Sequence, residues 1–229
     1  MILRKWEDLP ESMQCDEVRE YYDVLRKKKF QLLIKRLFDI IVSAIMLILL
    51  SPAFLILAIA IKIDSKGPVF YRQERVTRYG KKFRIFKFRS MVSGADKKGS
   101  LVTVNNDARI TRVGKLIRKC RLDEISQLID VFRGTMSFVG TRPEVTRYVE
   151  KYTPEMRATL LLRAGVTSEA SICFKDEDEL LSGAENVDEV YVEKILPEKM
   201  KYNLQSIKKF SCFSDLKTMF RTVFAVLKK

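Results

Sequence analysis

Residues 40–61 read IIVSAIMLILLSPAFLILAIAI, an uncharged apolar stretch that dominates the chain. As one continuous helix it would be about 33 Å long, enough to cross the hydrocarbon core of a bilayer. Pro52 cannot donate a backbone hydrogen bond and its ring crowds the preceding turn, so Ser51-Pro52 predicts a break in mid-stretch. Each arm would then be roughly 17 Å long, about the depth of one leaflet.

Basic residues flank this stretch on both sides. They are Arg26, Lys27, Lys28, Lys29, Lys35 and Arg36 before it, and Lys62, Lys66, Arg72 and Arg75 after it. A membrane-spanning helix normally has its excess of Lys and Arg on the cytoplasmic side alone. A re-entrant hairpin, which enters and leaves through the cytoplasmic face, accounts for both clusters. A Pro-kinked spanning helix stays open as the alternative, because membrane helices tolerate proline.

The composition limits both the partners and the chemistry. A net charge of +14 over 229 residues requires an anionic partner: nucleic acid, anionic lipid or a phosphorylated substrate. The apolar stretch beside the basic clusters favours membrane lipid, and we expect no nucleic acid. The absence of histidine excludes His-based catalysis and His metal sites. The four scattered cysteines are typical of reduced cytoplasmic thiols, which leaves carboxylates, lysines, tyrosines, hydroxyls or an oxygen-bound metal such as Mg²⁺.

The remaining elements are predicted from local patterns. Residues 1–30 indicate an amphipathic helix, interpreted as a solvated basic collar on lipid head groups, with Val18, Tyr21, Tyr22 and Leu25 at helical spacing. Residues 69–76 and 82–89 predict a β-hairpin with basic side chains on one face, followed by a polar loop over 90–106.

Two apolar stripes predict helices in the second half of the chain. One consists of Leu122, Ile125, Ile129 and Phe132, and the other of Phe213, Leu216, Phe220, Val223, Phe224 and Leu227. The second stripe fits a core helix or a helix in the membrane interface equally well.

Adjacent carboxylates, Asp123-Glu124, follow a cationic segment that contains Arg109, Arg112, Lys115, Arg118, Lys119 and Arg121. Acidic residues are common in the first turn of a helix, where the helix dipole favours negative charge. The same pair suits phosphoryl transfer: one carboxylate attacks phosphorus, its neighbour binds Mg²⁺ and arginines neutralise the phosphates. The dipeptide alone does not decide between these interpretations.

Several ordered motifs give the chain a recognisable pattern. They are Lys35-Arg36-Leu37-Phe38-Asp39, Ser51-Pro52, Gly67-Pro68-Val69-Phe70-Tyr71-Arg72-Gln73-Glu74-Arg75, Phe86-Lys87-Phe88-Arg89-Ser90-Met91, Asp107-Ala108-Arg109-Ile110-Thr111, Leu122-Asp123-Glu124, Met136-Ser137-Phe138-Val139-Gly140 and Arg142-Pro143-Glu144. Over residues 31–229 the chain resembles the bacterial sugar transferase family, the monotopic polyprenyl-phosphate phosphoglycosyl transferases.

The resemblance implies a mainly α fold with a small β-hairpin, in which interfacial amphipathic helices and a re-entrant helix-break-helix surround a cytosolic catalytic domain. We expect an N-terminal basic amphipathic helix over 1–34, the membrane hairpin over 35–63 and the catalytic domain over 64–229. The implied location is the cytoplasmic face of the bacterial inner membrane. A homodimer is left open.

The resemblance also implies a reaction. In this family an aspartate attacks the β-phosphorus of a UDP-sugar and releases UMP, and polyprenyl phosphate then accepts the phosphosugar. By motif position, Asp123 would be the nucleophile and Glu124 the Mg²⁺ ligand. Arg118, Arg142, Glu144, Lys87 and Arg89 would bind the substrates.

The chain departs from the family pattern at several positions. Thr141 stands where the family usually has the first proline of a Pro-Arg-Pro motif. Ser126 stands where a proline commonly follows the sequence Asp-Glu-Leu. Residues 163–168 and Ser171 also differ, which leaves the sugar and the local loop geometry open. Two alternative functions stay open: a glycosyltransferase that releases UDP, and a non-enzymatic, basic, membrane-anchored adaptor.

Overall fold

The computed structural model describes residues 3–95, 107–175, 177 and 186–227. Its helices are α1 (Asp16–Lys27), α2 (Lys29–Leu49), α3 (Ser51–Asp64), α4 (Arg112–Lys119), α5 (Leu128–Arg133), α6 (Thr146–Val149), α7 (Glu169–Cys173), α8 (Val187–Val190), α9 (Leu196–Lys208) and α10 (Cys212–Leu227). Its strands are β1 (Phe70–Val76), β2 (Lys82–Phe88), β3 (Met136–Val139) and β4 (Ala164–Thr167). Most of the loop predicted over 90–106 lies outside the described residues.

Helices α2 and α3 form a bent pair, with an angle of 61° between them. Ser51 Oγ donates to the carbonyl of Ile48 at 2.8 Å, and Pro52 lies in the first turn of α3, where its missing N–H costs nothing. The break predicted at Ser51-Pro52 is therefore confirmed. In the described part of the chain no single helix is long and apolar enough to cross a membrane, although α2 and α3 together have the required length and composition.

Most of the exposed large apolar side chains in the described part of the chain lie on α2, α3 and α10. The most exposed on the bent pair are Phe30, Ile48, Leu49, Leu55, Ile56 and Ile63. On α10, Phe213, Phe220 and Phe224 are 79%, 65% and 62% exposed, so the stripe on this helix does not form a core. Exposed apolar surface of this extent is typical of an interaction with a membrane or a protein.

The N-terminal segment differs from the predicted collar. Two 3₁₀ turns, Trp6–Asp8 and Glu11–Met13, precede α1, so residues 1–30 are not one helix. The apolar face of α1 (Val18, Tyr21, Tyr22 and Leu25) is buried in the main core, which also contains residues of α9 and of the 3₁₀ helix Glu155–Leu161. The interpretation as a solvated collar is wrong for this face, because the stripe packs against protein.

Two small sheets support the chain around the site. Strands β1 and β2 pair antiparallel from Phe70 opposite Phe88 to Val76 opposite Lys82, which confirms the predicted hairpin. The basic side chains do not share one face as predicted, because Arg84 and Lys87 lie three positions apart on β2 and side chains alternate along a strand. Strands β3 and β4 pair in parallel, and the sequence did not predict them. At Gly165 of β4 an added Cβ would lie 2.1 Å from the backbone nitrogen of Gly140, so close backbone packing requires glycine here.

The predicted helical stripe from Leu122 to Phe132 is wrong in its second half. Residues Leu122–Gln127 form a 3₁₀ helix, and α5 starts only at Leu128. A 3₁₀ helix has three residues per turn, which shifts the phase of every later side chain. Leu128 and Val131 are therefore buried, while Phe132 is 46% exposed.

Because Leu25 of α1 is fully buried, Leu25→Ala is expected to lower the free energy of unfolding by about 2–5 kcal/mol. The matched control, Leu33→Ala on α2, removes a side chain that is 47% exposed and should change it by less than about 0.5 kcal/mol. Denaturant unfolding of the protein in detergent measures both. Equal losses would show that α1 is not part of the core.

Candidate functional site

A sharp turn places the two adjacent carboxylates at the start of a short helix. Helix α4 ends at Lys119, and Arg121 adopts a left-handed conformation with φ of 51°, which is unusual for a residue other than glycine. The 3₁₀ helix follows at once and carries Asp123 and Glu124 in its first turn. Ser126 Oγ donates to the carbonyl of Phe86 at 3.0 Å, which connects this helix to β2. The departure at Ser126 thus supplies a hydrogen bond that proline could not.

Lys87 on β2 interacts with both carboxylates. Its Nζ lies 3.7 Å from Asp123 Oδ2 and 3.3 Å from Glu124 Oε1. The three side chains are only 23%, 14% and 16% exposed, respectively. A cation between two half-buried acids offsets their mutual repulsion, so the hairpin contributes directly to the site.

Arg142 also pairs with Glu124, at the same oxygen as Lys87. It lies in the loop after β3, and its Nη2 donates to Glu124 Oε1 at 2.6 Å. Burial by itself raises the pKa of Glu124, but the charges of Arg142 and Lys87 outweigh it and hold the pKa of this carboxyl well below its ordinary value. Glu124 is therefore ionised throughout the neutral range.

Asp123 has the opposite shift. Burial raises the pKa of Asp123 above its ordinary value, and the neighbouring Glu124 adds to this effect. The charges of Lys87 and Arg118 oppose the rise in pKa without cancelling it. A desolvated carboxylate is a stronger base and nucleophile than a solvated one, so the two acids have distinct chemical properties.

A cavity of about 410 Å³ opens beside Asp123. It lies between the β-hairpin, the segment 90–95 and α4, and its lining includes Phe70, Lys87, Met91, Arg109, Arg118 and Asp123. Ligand pockets generally fall in this size range and combine apolar walls with a few polar groups. The cationic part of this lining suits a phosphorylated ligand.

The structure brings together most of the predicted site residues. Lys87 contacts Asp123 and Glu124, Arg142 contacts Glu124, and Arg118 lines the cavity beside Asp123. Two predicted substrate-binding residues, Arg89 and Glu144, are used differently.

Arg89 is buried, and its guanidinium donates to the carbonyls of Ser65 at 2.6 Å and Lys66 at 3.0 Å. A cation at the end of α3 satisfies carbonyls that the helix leaves free. The geometry therefore gives Arg89 a structural role at the end of the bent pair. Arg89 also lines the cavity beside Asp123, and its binding of a substrate phosphate stays a prediction.

Glu144 is also buried. Its Oε1 accepts a hydrogen bond from the hydroxyl of Tyr191 at 2.6 Å, and its Oε2 lies 3.9 Å from Nη1 of Arg75. Sequence reasoning gave neither Tyr191 nor Arg75 a place near the site. Arg75 stands in a family motif, but no signal marked Tyr191, 47 residues beyond Glu144.

The donor set is compatible with Mg²⁺. The described residues contain no group of three or more acidic or cysteine side chains gathered for a metal, so the chain itself offers Glu124 and its neighbour Asp123. Mg²⁺ is commonly bound through one or two carboxylates together with substrate phosphates. Two carboxylate side chains beside a cavity that suits phosphates fit this pattern.

Comparison with known proteins identifies the family. The family model described as "Bacterial sugar transferase" matches residues 30–229. The UDP-N-acetylgalactosamine-undecaprenyl-phosphate N-acetylgalactosaminephosphotransferase of Aeromonas hydrophila is 34% identical over 173 residues, covering 74% of this chain and 38% of that protein. The UDP-glucose:undecaprenyl-phosphate glucose-1-phosphate transferase of Klebsiella pneumoniae is 37% identical over 173 residues, covering 74% of this chain and 35% of that protein.

The corresponding glucose-1-phosphate transferase of Escherichia coli K12 is 34% identical over 172 residues, covering 73% of this chain and 34% of that protein. The chain thus spans little more than a third of the length of these relatives. Because the family model covers most of the chain, the protein belongs to the bacterial sugar transferase family.

We predict that Lys87→Met raises the pKa of Asp123 further, because the charged carboxylate loses its nearest cation. As the pH is lowered, Asp123 of the variant is then protonated at a higher pH than Asp123 of the wild type. Its carboxylate form therefore exists over a narrower pH range. A ¹³C NMR titration of carboxyl-labelled aspartate measures the shift, with Asp123→Asn to assign the signal.

Lys82→Met is the matched control, because Lys82 lies on the same strand, is 56% exposed and pairs with Glu74. It should leave the Asp123 titration unchanged. A midpoint for Asp123 that stayed constant or fell in Lys87→Met would contradict the charge assignment.

Proposed function

We propose that this protein transfers a sugar 1-phosphate from a UDP-sugar to polyprenyl phosphate and releases UMP, at the cytoplasmic surface of the bacterial inner membrane. The observation that carries this proposal is the half-buried pair Asp123 and Glu124, held by Lys87 and Arg142 beside the cavity. The printed names of the relatives, which act on UDP-sugars and undecaprenyl phosphate, support the substrate classes.

In the first step, a carboxylate oxygen of Asp123 attacks the β-phosphorus of the UDP-sugar. The bond between this phosphorus and the bridging oxygen breaks, and its electron pair leaves with UMP. The sugar phosphate remains bound to Asp123 as an acyl phosphate. Because the pKa of Glu124 is held low, Glu124 stays ionised and takes no proton from this exchange.

In the second step, a phosphate oxygen of polyprenyl phosphate attacks the same phosphorus. The bond from phosphorus to Asp123 breaks, and the electron pair restores the carboxylate while the polyprenyl diphosphate-sugar leaves. Lys87 lies within reach of both carboxylates and neutralises the charge that returns to Asp123. Burial of Asp123 limits the access of water, which would otherwise hydrolyse the acyl phosphate.

Glu124, together with Asp123, would hold Mg²⁺. When bound, the ion would neutralise phosphate charge and orient the diphosphate. Arg118 lines the cavity and Arg142 faces Glu124, so both guanidinium groups are placed to bind the phosphates from the protein side.

The bent pair of α2 and α3 would act as the membrane anchor. We infer a re-entrant hairpin in one leaflet, since the pair bends by 61°, exposes apolar side chains and has basic residues at both ends. The exposed stripe of α10 would lie in the interface. This placement brings the site to the level of the acceptor phosphate while the prenyl tail stays in hydrocarbon.

Asp123→Asn is expected to reduce UMP release on the order of a thousandfold or more, because the nucleophile is lost while the size and shape of the side chain are retained. The assay supplies a panel of UDP-sugars, Mg²⁺ and polyprenyl phosphate to the protein in membranes, and it also identifies the sugar. The matched control, Asp188→Asn, changes an aspartate that pairs with Arg147 away from the site. Its activity should stay within about threefold of the wild type.

Release of UDP in place of UMP would exclude attack by the carboxylate and indicate ordinary glycosyl transfer. If neither nucleotide were released with any sugar of the panel, the adaptor function would replace the enzymatic one.

Cysteine labelling tests the re-entrant hairpin formed by α2 and α3. In a cysteine-free variant, Lys27→Cys and Lys66→Cys, introduced singly, are expected to react with an impermeant maleimide from the same side of a sealed vesicle. Both side chains are exposed and lie at opposite ends of the bent pair. Leu49→Cys, at the break, should be protected until the vesicle is dissolved. Reaction of Lys27→Cys and Lys66→Cys from opposite sides would indicate a spanning helix.

A further inference from the structure

Behind Arg142 the structure contains a buried row of polar groups that does not touch the reacting carboxylate. The hydroxyl of Tyr191 donates to Glu144 Oε1 at 2.6 Å. Lys199 Nζ donates to the oxygen of Tyr191 at 3.1 Å and to Glu177 Oε2 at 2.8 Å. Glu144, Tyr191 and Lys199 are only 6%, 4% and 5% exposed. Buried charges are costly unless they are paired, so removing one member of this row disturbs the others.

The hydrogen bonds in this row have a fixed direction. Burial, together with the carboxylates of Glu144 and Glu177, raises the pKa of Tyr191 far above its ordinary value. The hydroxyl therefore stays protonated and donates to Glu144. The ammonium group of Lys199 has only donors, so it occupies a lone pair of the Tyr191 oxygen. Tyr191 is the group that holds the carboxylate of Glu144 in place.

The backbone around Tyr191 has an uncommon conformation. Tyr191 is the first residue of a π-helical turn, Tyr191–Ile195, between α8 and α9. π-helical turns are rare in proteins, and those that occur are often found at functional sites. The ring of Tyr191 also packs on the ring of Tyr148, with 4.9 Å between the centroids. The turn and the stacked ring together fix where the Tyr191 hydroxyl lies.

Arg75 holds the same segment from the side of the hairpin. Its Nη1 donates to the carbonyl of Pro143 at 3.1 Å, and its Nε and Nη2 donate to Gln73 Oε1 at 3.1 Å and 2.7 Å. The backbone N–H of Val76 donates to the carbonyl of Glu144 at 2.9 Å. The segment Arg142-Pro143-Glu144 is therefore held from two sides, by β1 and by the π-helical turn.

Arg142 is attracted in more than one direction. The charges of Glu124, Glu144 and Glu177 all act on its guanidinium. In the structure it bonds Glu124, while the hydroxyl of Tyr191 occupies Oε1 of Glu144. Without that hydroxyl, the charge of Glu144 would lose its closest hydrogen bond, and Glu144 would compete more strongly with Glu124 for Arg142.

We propose that Tyr191 and Arg75 are positioning residues. They keep Arg142 bonded to Glu124, and in this position Arg142 can bind the phosphates of the UDP-sugar. This role rests on the proposed function. Tyr191 acts by occupying Glu144, and Arg75 acts by fixing the backbone of Pro143. Neither side chain is required to touch the substrate.

The test is a double-mutant cycle with Tyr191→Phe and Arg142→Met, measured as kcat and KM for the UDP-sugar. Tyr191→Phe should raise KM about tenfold with a smaller change in kcat, and Arg142→Met should lower kcat/KM on the order of a hundredfold. If Tyr191 acts through Arg142, the double variant is no worse than Arg142→Met alone. Independent effects that multiply would overturn the proposal.

Tyr148→Phe is the matched control, because Tyr148 stacks on Tyr191 but its hydroxyl bonds Asp188. It should leave KM within about twofold of the wild type. Arg75→Lys keeps the positive charge beside Glu144, but the lysine cannot donate to both Gln73 and Pro143. The effects of Arg75→Lys and Arg142→Met on kcat/KM should be non-additive in the same way. Unfolding midpoints of all variants identify any that fold poorly.

A crystal structure of Tyr191→Phe provides a readout that needs no activity. We expect the bond between Arg142 Nη2 and Glu124 Oε1 to be broken in it. If that bond is retained at 2.6 Å, Tyr191 does not position Arg142. A wild-type protein without UMP release would overturn the proposed function alone, since the crystal structure would still decide the positioning role.

Discussion

The site depends on the neutralisation of two adjacent carboxylates in a half-buried position. Asp123 and Glu124 would repel each other and lose much of their hydration without Lys87 and Arg142. These cations come from β2 and from the loop after β3, so both small sheets serve to bring them to one place. The same arrangement separates the two acids chemically: the pKa of Glu124 is lowered, whereas burial raises the pKa of Asp123. One acid is thereby kept as a fixed anion while its neighbour retains the basicity that a nucleophile needs.

The first helix of the bent pair is connected directly to this arrangement. Lys35 Nζ donates to the carbonyl of Val139 at 2.8 Å and pairs with Asp215 of α10 at 2.5 Å. The buried carboxylate of Asp39 accepts from the backbone N–H of Phe138 at 3.2 Å. Both contacts fix β3, whose chain continues into the loop of Arg142. The helix that would enter the membrane is thus also a support for the site, so the anchor and the site form one unit.

The differences between the predicted pattern and the observed contacts share a physical cause. Arg89 stands in a basic motif two residues after Lys87, yet it lies just beyond the end of β2 and donates to carbonyls at the end of α3, whereas Lys87 pairs with Glu124. Glu144 and Arg142 are separated by one proline, yet only Arg142 bonds Glu124. The stripe from Leu122 to Phe132 was assigned one helical period, while the chain changes from a 3₁₀ to an α-helix within it. In each case the residue type was visible in the sequence, and its orientation was decided by neighbours distant in the chain.

Local sequence was sufficient to predict the break at Ser51-Pro52, the β-hairpin, the adjacent carboxylates and the basic character of the surface. These follow from proline chemistry, alternation and charge, which act over a few residues. Other features arose only in the folded chain: α1 joins the core, β3 pairs with β4, and Glu144 accepts a hydrogen bond from Tyr191. Such contacts join residues far apart in the chain, and their stability depends on the burial and charge pairing that the complete fold creates.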